Sequence, residues 1–165
     1  MAGALFASAP AACRRVDGMI SPELQRVLDA VKPRGKPLVV NHWATWCEPC
    51  VDELPYLAEV AKRFEGKVDF VGISWDRYIG SAPIEQTTAA VDAVRAKAGV
   101  RFPTVLAPKD PEAVARELKL EAEYIPQTYV FAPSGEKLWS LAGEIYEDAQ
   151  RAAFEKAIES ALARH

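Results

Sequence analysis

Two hydrophobic periods alternate along this chain, and the switches between them mark its elements. From Ser21, a Ser-Pro-Glu triplet offers an N-cap, a first-turn proline and an acid at the positive helix end; Leu24, Val27, Leu28 and Val31 follow at helical spacing. Pro33-Arg34-Gly35 should end that helix. Residues 37–43 (PLVVNHW) form a short apolar, β-rich run bounded by Pro and Gly, which suits a strand buried on both faces. After Cys47, the residues Val51, Leu54, Leu57, Val60, Ala61 and Phe64 predict a second helix closed by Gly66, with Pro55 expected to kink it.

The same reading continues to the carboxyl end. Residues 68–75 (VDFVGISW) predict a strand, 76–83 a loop, about 84–98 a helix with Val91 and Val94 inward, and 102–106 a third strand. Asp110-Pro111-Glu112 opens a helix as Ser21-Pro22-Glu23 does, with Val114, Leu118 and Leu120 on its apolar side. Residues 128–131 and 137–141 read as antiparallel strands around the tight turn Pro133-Ser134-Gly135. A last helix starts near 147 and carries Ala149, Ala153, Phe154, Ala157, Ile158, Ala161 and Leu162 as one stripe. Strands alternating with helices, then a hairpin and a helix, imply an α/β sheet covered on both faces, parallel at first and mixed at one edge. In such sheets chemistry gathers at the carboxyl ends of the parallel strands.

Composition narrows the function classes. The chain has 165 residues, half of them apolar, with 20 Lys+Arg against 23 Asp+Glu and a net charge of -3. One ordinary globular domain of this size buries roughly two-thirds of its unfolded surface and needs no staple to fold. The isoelectric point near 5.5 and the lack of a Lys/Arg cluster argue against a nucleic-acid partner. Three cysteines exclude a disulfide-dense scaffold. No apolar run approaches the roughly 18 residues of a membrane span.

Residues 1–20 read as a flexible tail ahead of a domain covering 21–165. Met1 to Cys13 carries no charge and is dominated by small and apolar residues, as at the end of an export signal, although no basic start precedes Leu5 and Phe6. Two readings stand: the remnant of an export signal with Cys13 as a lipid anchor, or a tail with a free thiol.

The chemistry lies at Trp46-Cys47-Glu48-Pro49-Cys50. The two cysteines stand three apart where a buried strand turns into a helix, so Cys47 falls at the N-cap and Cys50 one turn inside. Backbone N–H groups and the positive helix end favour a thiolate on Cys47. An exposed Cys47 nucleophile would attack a substrate disulfide, and the buried Cys50 would resolve the mixed disulfide. Pro49 fixes the helix start, Trp46 can shield the sulfur, and Glu48 disfavours the thiolate and so tends to make the pair more reducing. A zinc site would need two further ligands, and Cys13, His42 and His165 are the remaining candidates, so no metal is expected. A peroxiredoxin would want a Thr three residues before its reactive Cys, where Ala44 stands.

The run Trp43-Ala44-Thr45-Trp46-Cys47-Glu48-Pro49-Cys50, Pro55, the segment Ile125-Pro126-Gln127-Thr128 and Gly143 together resemble the thioredoxin fold, and within it the TlpA/ResA-like branch of bacterial thiol-disulfide oxidoreductases. The match runs from about Lys36 to the carboxyl end. The resemblance implies a three-layer α/β fold whose central mixed sheet is flanked by helices, with a helical insertion over about 76–99. It makes Pro126 a cis-proline against the active-site sulfurs, with Ile125, Tyr124 and Thr45 offered to the substrate. It also implies an extracytoplasmic setting, on the outer side of a membrane, with cytochrome c maturation or periplasmic thiol reduction as natural tasks. The incomplete export signal leaves a cytoplasmic one open.

Departures from the pattern carry their own expectations. Thioredoxin has a buried Asp six residues before its first Cys, and Asn41 stands there instead. Relatives of the ResA type use a Glu near the start of the insertion, for which Asp76 is the nearest counterpart, with Glu85 and Glu48 behind it. His42 reads as a packed core histidine donating to a backbone carbonyl, or as a proton shuttle or copper ligand. The branch's amino-terminal hairpin is replaced by a helix over 21–31.

The sequence therefore predicts a monomeric reductase of disulfide-bearing protein substrates, fed by a membrane thiol donor, because no G-x-G-x-x-G or other cofactor motif is present. Two alternatives use the same residues: a client-binding or assembly module with the cysteines as a latch, and copper delivery by Cys47, Cys50 and His42.

Overall fold

The computed structural model describes residues 21–119 and 124–164, so the tail, Cys13 and Leu120 lie outside the described residues. Ser21 caps α1 (Pro22–Ala30), its hydroxyl accepting from the Leu24 N–H at 3.2 Å, and α1 buries Leu24 and Val27. The next strand, β1 (Leu38–Trp43), is buried along its whole length, as an apolar run in the middle of a sheet must be. After it, α2 (Glu48–Arg63) runs as one helix across Pro55. Then come β2 (Asp69–Ser74), α3 (Ile84–Ala98), β3 (Thr104–Leu106), α4 (Pro111–Leu118), β4 (Gln127–Phe131), β5 (Lys137–Ala142) and α5 (Asp148–Leu162). The strand expected over 102–106 is only three residues long. Pro103, which has no amide hydrogen to give to a ladder, stands immediately before it.

The sheet order is β3-β2-β1-β4-β5, with β1, β2 and β3 parallel and β4 and β5 antiparallel additions. This order sets the layers. Two successive right-handed crossovers in one direction put α2 and α3 on the same face, where they touch each other, and the return crossover puts α4 beside α1 on the other. On the α2 face, α5 packs through Phe154, whose ring meets those of Tyr56 and Trp139. The architecture is the thioredoxin-like three-layer α/β fold.

One cross-strand row positions the site. Thr128, Asn41, Gly72 and Thr104 face one another across β4, β1, β2 and β3. A methyl group on Gly72 would lie 2.6 Å from Thr104 Oγ1 and 3.1 Å from Trp43 Nε1, so glycine leaves room for both side chains. No helix among the described residues is long and apolar enough to cross a membrane.

Candidate active site

The carboxyl end of β1 delivers the chain to Thr45, and Cys47 becomes the N-cap of α2 in extended conformation with no side-chain cap bond. Pro49 sits in the first turn, where its missing N–H costs nothing. Cys47 and Cys50 are joined as a disulfide with their Cα atoms 5.2 Å apart. Cys50 is fully buried. Cys47, expected to be exposed, keeps only 7 % of its surface in this oxidised form. The covering comes from the loop before β4: the Ile125–Pro126 bond is cis, and Ile125 O stands 3.9 Å from Cys47 Sγ. In the disulfide that sulfur carries no hydrogen, so this is a contact rather than a hydrogen bond. Pro126 is buried and its carbonyl accepts from the Gly143 N–H at 2.8 Å, which ties the cis-proline loop to the end of β5. Gly143 holds φ at +122°, a region open to glycine.

Asp76, the expected acid, is a structural clamp. Its carboxylate accepts from the Thr45 N–H at 3.1 Å, from the Thr45 hydroxyl and from the Ser74 hydroxyl at 2.7 Å. Three donors hold it as an acceptor, so it fixes the loop that presents Trp46 and Cys47. Glu48 and Glu85 are exposed at the helix N-termini.

The acid that sequence reasoning missed is Glu53. It lies three residues after Cys50, on the buried stripe of α2 with Leu54, Leu57 and Val60, and is 2 % exposed. Its Oε1 accepts from Asn41 Nδ2 at 2.8 Å and its Oε2 from the Ile145 N–H at 2.9 Å; the same Asn41 amide donates to Thr128 Oγ1 at 3.0 Å. Burial pushes the carboxyl up to about 7; the Ile145 and Asn41 bonds hold it down and the charge of Glu144 pushes it further up. A carboxyl poised near neutrality one turn below a buried cysteine can take and return a proton. Helix arithmetic from Cys50 puts position 53 on the apolar face, but a glutamate there reads as a solvated charge until its partners Asn41 and Ile145 are known.

His42 corrects two expectations. Residues alternate along a strand, so His42 faces away from Asn41 and Glu53. Its Nδ1 accepts from the Trp75 indole N–H at 3.1 Å, where donation to a carbonyl was expected, and its ring meets Tyr129 edge-on at 5.7 Å. Burial alone pushes its pKa down to about 3. It does not join Cys47 and Cys50 as a third ligand, and among the described residues no group of three or more His, Cys, Asp or Glu could hold a metal ion. Trp46 is half-exposed beside Cys47, and Tyr124, beside the cis-proline loop, is exposed and does not close the core.

Residues 23–136 match the model of the AhpC/TSA family. The thiol-disulfide oxidoreductase ResA of Bacillus subtilis (strain 168) is 30 % identical over 115 residues, covering 69 % of this chain and 57 % of that protein. ResA of Oceanobacillus iheyensis is 31 % identical over 103 residues, 62 % of this chain and 47 % of the relative. The match thus spans about half the length of these curated relatives. Among solved structures, a thiol:disulfide interchange protein of the thioredoxin family from Chlorobium tepidum TLS superposes with a TM-score of 0.60 at 26 % identity, covering 82 % of this chain and 84 % of the other.

Proposed function

The chain belongs to the AhpC/TSA family, and from that premise we propose that it is a thiol-disulfide oxidoreductase that reduces protein disulfides through Cys47 and Cys50. The observation that carries the reading is the pair itself: a disulfide at a helix N-terminus, its inner sulfur buried, with a carboxyl poised near pH 7 one turn below. A structural staple would need no such acid.

In the reduced chain, the helix N-terminus favours a Cys47 thiolate, which attacks one sulfur of the substrate disulfide. A Cys47–substrate bond forms, the substrate S–S bond breaks, and the leaving thiolate takes a proton. Cys50 then gives its proton to the ionised Glu53, and the Cys50 thiolate attacks Cys47 Sγ. This closes the 47–50 disulfide and releases the second substrate thiolate, to which the proton passes. Two electrons and the Cys50 proton move from the chain to the substrate, the proton taken by the first leaving thiolate comes from solvent, and a dithiol donor must return the electrons. Pro126 and Ile125 wall Cys47 on one side, and Tyr124 and Thr45 flank the approach. Trp46 limits access, Glu48 weakens the thiolate and Pro49 holds the helix start; Asp76 positions Thr45. An extracytoplasmic setting with a membrane thiol donor fits the similarity to the ResA relatives, and a monomer suffices because both cysteines and Glu53 come from one chain.

Insulin provides the test. The reduced chain should precipitate insulin by reducing its disulfides, Cys50→Ala should trap a mixed disulfide visible on a non-reducing gel, and Cys47→Ala should do neither. Client binding by Cys47→Ala with no adduct in Cys50→Ala would favour the binding-module reading instead.

A further inference from the structure

The large hydrophobic residues exposed among the described residues are Trp46, Tyr78, Ile79, Ile84, Tyr124 and Tyr146, and all lie at one end of the sheet. The topology explains this. The parallel strands β1 and β2 end there, the antiparallel β4 begins there and β5 ends there, so the segments carrying these six residues share the end of the sheet at which Cys47 lies. Four of the six have a tie to the site. Trp46 adjoins Cys47; Tyr124 adjoins Ile125, whose carbonyl faces the sulfur. Tyr146 adjoins Ile145, whose N–H holds Glu53, and Tyr78 follows the Asp76 clamp on Thr45 by two residues. Scattered surface hydrophobics are ordinary, but their gathering at the one end of the sheet that carries the reactive group marks a contact surface.

Charge is segregated along the same axis. The same end carries acids, Glu48 and Asp52 on α2, Glu144 and Glu147 between β5 and α5, and Asp148 opening α5, with Arg77, Lys109 and Arg151 as cations in neighbouring segments. Glu48 and Asp148 also complement helix N-termini, yet Glu144 lies in a loop and serves no helix. The cations Lys32, Arg34, Lys36, Lys67 and Arg101 are exposed in the segments that precede β1, β2 and β3, at the other end.

We infer that the disulfide-bearing partner is a cationic polypeptide, with Lys or Arg and apolar side chains flanking its cysteines. The inference rests on the exchange chemistry proposed above and adds its substrate class. The acidic rim steers a basic segment toward Cys47, and the exposed hydrophobic residues hold its apolar side chains while the two-electron exchange proceeds.

The test uses the reduced full chain and two disulfide-bonded peptides that differ only in Lys or Glu beside the cysteines, with a small uncharged disulfide as the control. At low ionic strength the Lys peptide should react about tenfold faster than the Glu peptide, the ratio falling toward one as salt screens the rim. Asp52→Asn with Asp148→Asn should reduce that ratio about threefold, any general effect on exchange cancelling in it. Tyr146→Ser with Ile79→Ser should slow a peptide carrying Leu and Phe flanks relative to one carrying Ser. Equal rates for the Lys and Glu peptides at low salt, or a faster Glu peptide, would overturn the inference if the uncharged disulfide still reacts. If the uncharged disulfide also fails to react, the exchange reading falls and this inference with it.

Discussion

Asn41 and His42 are neighbours on β1, and they open onto opposite faces of the sheet. On one face Asn41 anchors Glu53 below the cysteines. On the other, His42 is closed in by Trp75 and Tyr129. Both faces bury a titratable group, and the same cause, loss of water, moves the two in opposite directions. It lifts the Glu53 carboxyl from 4.5 to about 7 and drops the His42 imidazole from 6.5 to about 3. Burial thus brings an acid into the working pH range and takes a histidine out of it. A buried carboxyl beside a thiol is therefore the group that can exchange protons here, and the histidine is packing.

Of the two positions, Asn41 is the more sensitive to substitution. Asn41→Asp would set a second carboxyl against Glu53 in a site without water. We expect a loss on the order of 4 kcal/mol at pH 8, much smaller at pH 5 where one proton can be shared, read from urea unfolding. Equal losses at the two pH values would mean that the two side chains do not meet as described.

Next in size is a pair of opposing pH dependences. Glu53 holds a proton in the folded chain that the unfolded chain releases above 4.5, so its contribution to stability is present at low pH and lost as pH rises toward 7. His42 does the reverse: the unfolded chain gains a proton below 6.5 that the folded chain refuses, so stability is lost as pH falls toward 3. Between these limits the two slopes offset each other in the wild type. In Glu53→Gln the offset is removed, and stability relative to wild type should rise by about 3 kcal/mol from pH 4.5 to 7, measured by denaturant titration of the oxidised protein. Parallel curves for the two proteins would show that Glu53 is not a raised acid.

His42→Phe acts on the other face of the sheet. It leaves the Trp75 indole N–H without its acceptor at a cost of about 2 kcal/mol, and should leave the pH profile of exchange in place, since His42 does not face the sulfurs. A shifted kinetic profile would make it a proton shuttle after all. The smallest effect is expected at Asp76→Asn, about 1 kcal/mol in thermal unfolding, because the Thr45 N–H keeps an amide oxygen to donate to.

Much of this was legible before any coordinates. Ser21 and Asp110 announce their helices because a short oxygen side chain followed by Pro and Glu fits only a helix start, and both cap as expected. The cysteine pair and Pro126 were readable because their chemistry is local to a few residues. Glu53 was not, because a glutamate on a helix reads as a solvated charge, and its burial depends on Asn41 twelve residues back and Ile145 ninety-two residues on. The complementary case is Asp76, an acid near the expected place whose donors on Thr45 and Ser74 are not legible in the sequence. His42 was read correctly as core, but the indole that satisfies it comes from another strand end and could not be inferred from its neighbours.

The most direct test is the pH dependence of reoxidation of the reduced chain by a small uncharged disulfide, followed by the fluorescence of Trp46 beside the forming 47–50 bond, in wild type and Glu53→Gln. With Glu53 as the proton acceptor for Cys50, the wild-type rate should carry an inflection near pH 7 that the variant lacks, and the variant should resolve the mixed disulfide about a hundredfold more slowly at pH 7.5. Superimposable profiles, with the same rate at every pH, would contradict the account.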